Sequence, residues 1–392
     1  MRRGWCPTVF APMPSGDGLL VRVKPPLGRL SPAQARALAA AAARHGNGVI
    51  DLTGRANLQV RGLSAESAAP FARAMVAAGL ASPDPAVERR RSVAVTPLPD
   101  AAAEAVAAAL EEGLVQNHAL AALPAKFGFA VALPGIAADI HLHPIAEGWA
   151  VWPDGAAQAA CTAAPVAAAL RLAHAFLRVA PGARRMRDAD AAPIYAAAAL
   201  RPELPLPAPS PPRVIGPLAG GVGVGLPFGT TDAATLGRLA VCGPLHLTPW
   251  RALVLAAPLP LSPSRRGRGN PACRSPSPCG RGQGGGVSAP AADSLILDPA
   301  DPRRALTACP GFPACASAQA DVRADALALS RQFPGLALHV SGCAKGCAQP
   351  RPAPLTLVAG ADGYALVRNG TAADPPAARG LSLVQVAAMI AP

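Results

Sequence analysis

Val49-Ile50-Asp51-Leu52-Thr53-Gly54-Arg55-Ala56-Asn57-Leu58-Gln59-Val60-Arg61 has a counterpart far downstream in Leu245-His246-Leu247-Thr248-Pro249-Trp250-Arg251-Ala252-Leu253-Val254-Leu255. The two stretches align on their Leu-Thr pairs, and each continues as a run of alternating residues with the period of a strand. Upstream of the first, Gly18–Val23 reads as a strand, and Ser31-Pro32-Ala33-Gln34 opens a helix with a capping box and proline in its first turn. That helix is expected to close near His45-Gly46, where glycine can take the left-handed cap. Upstream of the second, Val222–Leu226 reads as a strand and Asp232 caps a helix running through Ala240. The pattern is an internal duplication of a strand–helix–strand unit.

Each small unit is followed by a longer one. Phe127–Val131 is strand-like, and Ile140-His141-Leu142-His143 turns at Ala146-Glu147-Gly148 into Trp149–Trp152. In the second half, Pro354–Val358 turns at Gly360-Ala361-Asp362-Gly363 into Tyr364–Val367. The chain therefore reads as two copies of a small α+β unit, each with a larger α+β unit behind it.

Of the 392 residues, 51% are hydrophobic, but alanine dominates that share and aromatic residues are only 4%. No apolar run is long enough to span a bilayer. The start, Met1-Arg2-Arg3-Gly4-Trp5-Cys6-Pro7, lacks the apolar core of a secretory signal, so the expected location is the cytoplasm with no membrane association. A net charge of +13 is compatible with an anionic partner, a polycarboxylate or nucleic acid. The basic residues do not alternate with aromatics, so no nucleic-acid partner is expected. Residues 262–287 are low-complexity Ser/Pro/Arg/Gly, contain Cys273 and Cys279, and lack the apolar content of a folded unit; a disordered insertion is expected there.

Nine cysteines in a chain without a secretory signal point to metal or redox chemistry before disulfides, and the odd count agrees. Cys6, Cys161, Cys242, Cys273 and Cys279 are scattered. The other four are grouped as Cys309-Pro310-Gly311-Phe312-Pro313-Ala314-Cys315 and Cys343-Ala344-Lys345-Gly346-Cys347. Four thiolates delivered from two loops suit a [4Fe–4S] cluster, and the glycines and prolines let the backbone bend around it. A zinc site or four unligated core cysteines are the alternatives; zinc knuckles favour shorter gaps than these. Between the pairs, 316–332 carries Val322, Ala326 and Leu329 at helical spacing.

Val49 to Arg61 reads as one strand, so Arg55, Asn57, Gln59 and Arg61 are expected to share a face. Two guanidiniums and two amides in a row form either an exposed polar face or a cradle for carboxylates.

The cysteine loops, with their flanks Ala308 to Ala318 and His339 to Ala348, resemble the cluster motif of the sirohaem-dependent sulfite and nitrite reductases. Their wording is most similar to the precorrin-3B synthase branch of that superfamily. The resemblance covers nearly the whole chain apart from 262–287. It implies duplicated ferredoxin-like half-domains plus two larger α+β sulfite-reductase-like cofactor domains. The expected units are a first half-domain (1–80), a first larger domain (88–200), a Pro-rich linker (201–217), a second half-domain (218–261) and a cluster domain (292–392). It also implies that Arg55, Arg91 and Lys126 hold substrate carboxylates; Asn57, Gln59 and Arg61 are added as substrate-binding candidates by the strand-face reading alone. The reductases usually carry a second lysine two residues beyond the first, where this chain has Gly128, and that departure weakens the case for a sulfite or nitrite substrate.

The implied reaction is an O2-dependent, NADH-driven monooxygenation of precorrin-3A, a polycarboxylate tetrapyrrole. It hydroxylates the macrocycle and closes a lactone, and an electron-donating reductase is the implied partner. The resemblance also implies a mononuclear non-haem iron; His141, His143 and His339 are its candidate ligands, with ordinary buried or hairpin histidines as the alternative. Two other readings remain open: a sirohaem-dependent reductase, and a non-catalytic iron–sulfur carrier or sensor.

Overall fold

The computed structural model describes residues 6–208, 212–256 and 295–391. The low-complexity stretch 262–287, with Cys273 and Cys279, lies outside them. In the first unit, β1 (Met13–Ser15) and β2 (Gly18–Val23) form a hairpin, and β3 (Arg29–Leu30) leads into α1 (Pro32–His45). Then β4 (Val49–Leu52), β5 (Leu58–Leu63) and α2 (Ala65–Ala77) follow. The capping box at Ser31 and Gln34 is present in both directions. Gly46 is extended, not left-handed (φ −123°). What requires glycine there is the close approach of β5: a Cβ would sit 2.4 Å from the carbonyl oxygen of Arg61.

The expected single strand over 49–61 is instead a hairpin, because Ala56 takes φ 52° and Thr53 N–H closes the turn on the Asn57 carbonyl at 2.8 Å. The repeat does the same. β15 (Leu245–Leu247) and β16 (Ala252–Ala256) flank a turn in which Arg251 takes φ 55° and Thr248 N–H meets the Ala252 carbonyl at 3.2 Å. A hairpin and one long strand carry the same alternation, so the apolar pattern alone does not locate the turn.

The second unit opens with β12 (Gly216–Leu218) and β13 (Gly221–Gly225), then β14 (Thr230–Asp232) and α7 (Ala233–Cys242), capped by Asp232. The two units trade their short strands. β14 pairs with β4 to complete the sheet β1-β2-β5-β4-β14, while β3 pairs with β15 to complete β12-β13-β16-β15-β3. Each traded strand follows a one-turn kink, Pro26-Leu27-Gly28 or Pro227-Phe228-Gly229, whose middle residue lies at φ 52° or 56°. The duplication is thus a pair of interlocked half-domains with one shared core: Val21, Val23, Ile50, Leu58 and Val60 face Leu38, Phe71 and Met75, with Leu236 and Leu247 alongside. Burial of that apolar area, at roughly 25 cal/mol per Å², is the main force joining them.

The reverse face of the first sheet is polar. Arg22 on β2 lies opposite Gln59 on β5, Gln59 opposite Asp51 on β4, and Asp51 opposite Thr230 on β14. Directly opposed residues share a face, so these four form a row across the sheet.

The first larger domain contains α3 (Pro85–Arg90), β6 (Val93–Val95), α4 (Ala101–Gln116), β7 (Phe129–Val131), β8 (Ile140–Ile145), β9 (Gly148–Pro153), β10 (Gln158–Thr162), α5 (Pro165–Val179), α6 (Ala191–Ala197) and β11 (Pro202–Pro205). The C-terminal domain, expected to hold the cluster, contains β17 (Leu306–Ala308), α8 (Val322–Gln332), β18 (Leu338–Ser341), β19 (Ala353–Gly360), β20 (Gly363–Gly370), β21 (Ala378–Leu381) and α9 (Leu383–Ile390). The two sheets repeat one plan. The first three strands are parallel, with a crossover helix between the first and second, and the later strands are antiparallel.

Two expectations are corrected. The Pro-rich 201–217 is not simply a linker: it supplies the edge strands β11 and β12, a position where proline's missing N–H is tolerated. The helix expected over 316–332 begins only at Val322, because 316–321 forms turns that tie the cysteine loops together. Among the described residues no helix is long and apolar enough to cross a membrane.

Candidate active site

The cysteine loops leave the C-terminal ends of the adjacent parallel strands β17 and β18, and that topology brings them together. Gln319 N–H donates to the Gly342 carbonyl at 3.0 Å and Lys345 Nζ to Ser317 Oγ at 2.9 Å, so each loop is stitched to the other. Cys309 is buried, Cys315 and Cys343 are half-buried, and Cys347 is exposed; all four are free thiols. Gly342 N–H donates to Cys309 Sγ at 3.2 Å. A side chain at Gly342 would stand 2.6 Å from Ala318 Cβ and 3.3 Å from that sulfur, so glycine is what lets the backbone reach it.

The Cys309 thiol is lowered to about 6, first by the hydrogen bond from Cys347, then by the amides of Gly342 and Gly311 and the nearby Arg323, against the opposing effect of burial. Cys347 is pushed up by that same bond, by burial and by the charges of Cys309, Cys315 and Cys343. The four sulfurs therefore feel one another. Among the described residues no three of His, Cys, Asp and Glu are grouped to hold one metal ion. A cube gives each thiolate its own iron, so it does not demand that tight grouping. The donor set and the amide aimed at sulfur fit a [4Fe–4S] cluster.

A cavity of about 440 Å³ opens between the half-domains and these loops. Cys309 and Cys347 form one wall, Asp51, Gly54 and Gln59 of the first half-domain another, and Phe228, Pro249 and Arg251 of the second a third; Arg323 of α8 also lines it. Beyond the 53–56 turn lies a second cavity of about 560 Å³, lined by Cys6, Thr8, Arg22, Lys24, Arg55, Asn57 and Arg89. Its charged lining residues are all basic.

The sequence-expected substrate residues divide. Arg55 sits in the turn, not on a strand, and lines the basic cavity; its Nη1 donates to the backbone carbonyl of Lys126 at 2.8 Å, which brings the two residues together. Burial, with Arg185 and Arg22 nearby, lowers the Arg55 pKa. Asn57 lines the basic cavity and Gln59 the cysteine-walled one. Arg61 and Arg91 are already committed. Arg61, 4% exposed, pairs with Asp17 at 2.9 Å and donates to Ser15 and to the Ala314 carbonyl. Arg91 pairs with Glu111 at 2.7 Å and Glu88 at 3.0 Å. Both guanidiniums hold elements together in the folded protein, and Arg91 also lines a pocket with Arg55, Asn57 and Gly128. Gly128 donates its N–H to Asp139 at 2.9 Å and adds no cation.

His141, His143 and His339 are not gathered. His141 and His143 lie on β8, where His141 stacks on Trp152 with ring centres 5.0 Å apart. His339 lies on β18 in the other sheet, fully buried, with no partner for either ring nitrogen among the described residues. Burial lowers the pKa of all three.

Residues that sequence reasoning missed are Asp51, Arg251 and Arg323 at the cysteine-walled cavity, and Arg22, Lys24 and Arg89 at the basic one. Arg22 could have been found from its place on β2: it alternates with Val21 and Val23, which face the core. Arg323 could not, since its helix arrives from a distant part of the chain.

Residues 11–78 match the family described as nitrite/sulfite reductase ferredoxin-like half domain. The chain is 33% identical, across 96% of its length and 85% of the relative's, to a precorrin-3B synthase of Sinorhizobium sp. The NirA protein of Mycobacterium tuberculosis has a similar structure, with a TM-score of 0.61 over 87% of this chain and 70% of that one. At 18% identity, that likeness concerns the fold.

Proposed function

Because the chain belongs to the precorrin-3B synthase family, within the nitrite/sulfite reductase superfamily, we propose that it is an oxidoreductase of cobalamin biosynthesis that oxidises precorrin-3A to precorrin-3B. Cys309, Cys315, Cys343 and Cys347 would hold the [4Fe–4S] cluster, which supplies single electrons at the cavity wall. In the overall reaction one atom of O2 enters the macrocycle as hydroxyl and the other leaves as water. Two electrons come from NADH through an electron-donating reductase, and an acetate side chain closes the lactone.

The observation that carries this reading is the meeting of cysteine loops and half-domains around one cavity, with a basic cavity next to it. A macrocycle in the first would reach the second with its peripheral carboxylates. Arg55 would hold a carboxylate with the donors not engaged by Lys126, and the Lys126 ammonium would add a point charge beside it. Asn57 and Gln59, both following the 53–56 turn, place one amide donor at each cavity, suited to orient the ring. Any mononuclear iron would need ligands other than a preformed trio of His141, His143 and His339.

Anaerobic purification with iron and sulfide analysis and an optical spectrum, followed by incubation with precorrin-3A, reductant and O2, tests the proposal. O2-dependent hydroxylation and lactone formation are expected. A sirohaem absorption band with sulfite reduction would overturn it in favour of an anion reductase. Reversible cluster cycling without conversion would point to an electron carrier.

A further inference from the structure

Asp51 is 8% exposed and sits where four elements meet. Its Oδ1 accepts from Thr230 Oγ1 of β14 at 2.6 Å and from Arg323 Nη2 of α8 at 3.1 Å. Its Oδ2 lies 3.6 Å from Arg61 Nη1 of β5. One carboxylate therefore joins both half-domains to the cluster domain. Asp51 and Arg323 also line the same cavity as Cys309 and Cys347.

Arg323 keeps an unspent donor: its Nε–H is buried with no hydrogen-bond partner among the described residues. The guanidinium is thus held by Asp51 through one terminal nitrogen, and Arg323 lines the cavity that Cys309 and Cys347 wall. Arg61 pairs with Asp17 and also lies beside Asp51, while the charged residues lining the cavity are Asp51, Arg323 and Arg251, whose Nη1 is tied to the Leu306 carbonyl. Charges this close in a partly desolvated cavity are poorly screened.

We infer that the Asp51–Arg323 pair is an electrostatic control on the cluster, with Arg323 favouring its reduced form and Asp51 opposing it by both charge and positioning of the guanidinium. An iron–sulfur cluster gains negative charge on reduction, and its potential follows the net charge and hydrogen bonds around its sulfurs. A cation fixed beside Cys309 lowers the free energy of the reduced state; the buried carboxylate next to it raises that free energy. Because the pair spans two domains, the potential would respond to how closely the half-domains dock on the cluster domain. Arg323 and Asp51 are positioning and tuning residues in this scheme, not catalytic ones. The inference rests on the cluster reading of the four cysteines.

The test is a redox titration of the reconstituted full chain, followed by EPR of the reduced cluster, with iron and sulfide measured on every sample. Arg323→Gln should shift the midpoint potential to more negative values, Asp51→Asn should shift it to more positive values, and Arg323→Lys should stay close to the parent. Opposite signs are the signature, since a merely structural role moves no potential in a charge-dependent direction. Unmoved potentials, shifts of the same sign, or loss of the cluster from both charge variants would overturn the inference while leaving the cluster reading intact. A parent protein that takes up no [4Fe–4S] cluster would overturn both.

Discussion

The Arg61 guanidinium donates from inside the first half-domain to the backbone carbonyl of Ala314, the residue immediately before Cys315. Ser15 Oγ donates to the same carbonyl at 2.8 Å, and Gly16 leaves no room for a side chain, since a Cβ would lie 2.6 Å from Ala316 N. A cysteine loop is thus clamped by a hairpin 299 residues away in sequence.

Replacing Arg61 with alanine strands the Asp17 carboxylate, and breaking such a buried pair costs about 3–5 kcal/mol. Arg61→Ala should lower the urea midpoint and also reduce iron content, because Ala314 loses a donor. If iron binding is unchanged in folded Arg61→Ala, the clamp does not position the loop.

Serine in place of Cys309, Cys315, Cys343 or Cys347 should each abolish stable cluster incorporation, read as iron and sulfide content and loss of the charge-transfer absorption. Cys161, exposed and remote in sequence from the loops, is the control: Cys161→Ser should keep the cluster. Full iron content in any one of the four loop variants would remove that cysteine from the ligand set.

Arg55→Ala and Lys126→Ala should weaken precorrin-3A binding. Loss of one hydrogen bond to a charged group is worth about 1.5–3 kcal/mol, or roughly 10- to 100-fold in Kd. Raised salt should narrow the gap between parent and variants. Arg91→Ala should instead act through stability, since its guanidinium is spent on Glu88 and Glu111. A direct binding assay on folded Arg91→Ala showing the same loss as Arg55→Ala would reverse that distinction.

Burial pushes the Lys24 ammonium down to about 8 from its ordinary 10.5, and its Nζ donates to the Glu88 and Arg89 carbonyls. Between those values the unfolded chain binds more protons than the folded one, so this group's contribution to stability rises with pH from about 8 to 10.5. Below pH 8 it opposes folding by its full amount, on the order of 3 kcal/mol. Lys24→Gln should therefore flatten the rise of the denaturation midpoint across that window; an identical pH slope in parent and variant would show that Lys24 is not its source.

The periodic elements were legible because their signals are local. The Ser31 capping box, the β2 alternation and the hairpin turn at Gly360–Gly363 depend on neighbours in sequence, and each stands where the pattern put it. The helix over 316–332 was only partly legible: Val322, Ala326 and Leu329 are its buried stripe, but 316–321 is bent by bonds to the other cysteine loop, which no local pattern encodes. The Arg55–Arg61 row failed for a similar reason. The turn at Ala56 breaks the strand, and Arg61 points to the polar face only to be consumed by Asp17 and Ala314.

By itself the sequence determined the duplicated α+β plan and the cysteine spacing, because strand period, helix caps and Gly/Pro-rich loops are set by short-range sterics and hydrogen bonding. Only the tertiary structure decided which arginines are available and what surrounds the cysteines. β14 crosses into the first sheet, α8 delivers Arg323 to Asp51, and β1–β2 reaches the Cys315 loop. A guanidinium has the same composition whether it faces a cavity or a buried carboxylate. Its partner determines its role, and for Arg323 and Asp51, 272 residues apart, that pairing exists only once the domains have come together.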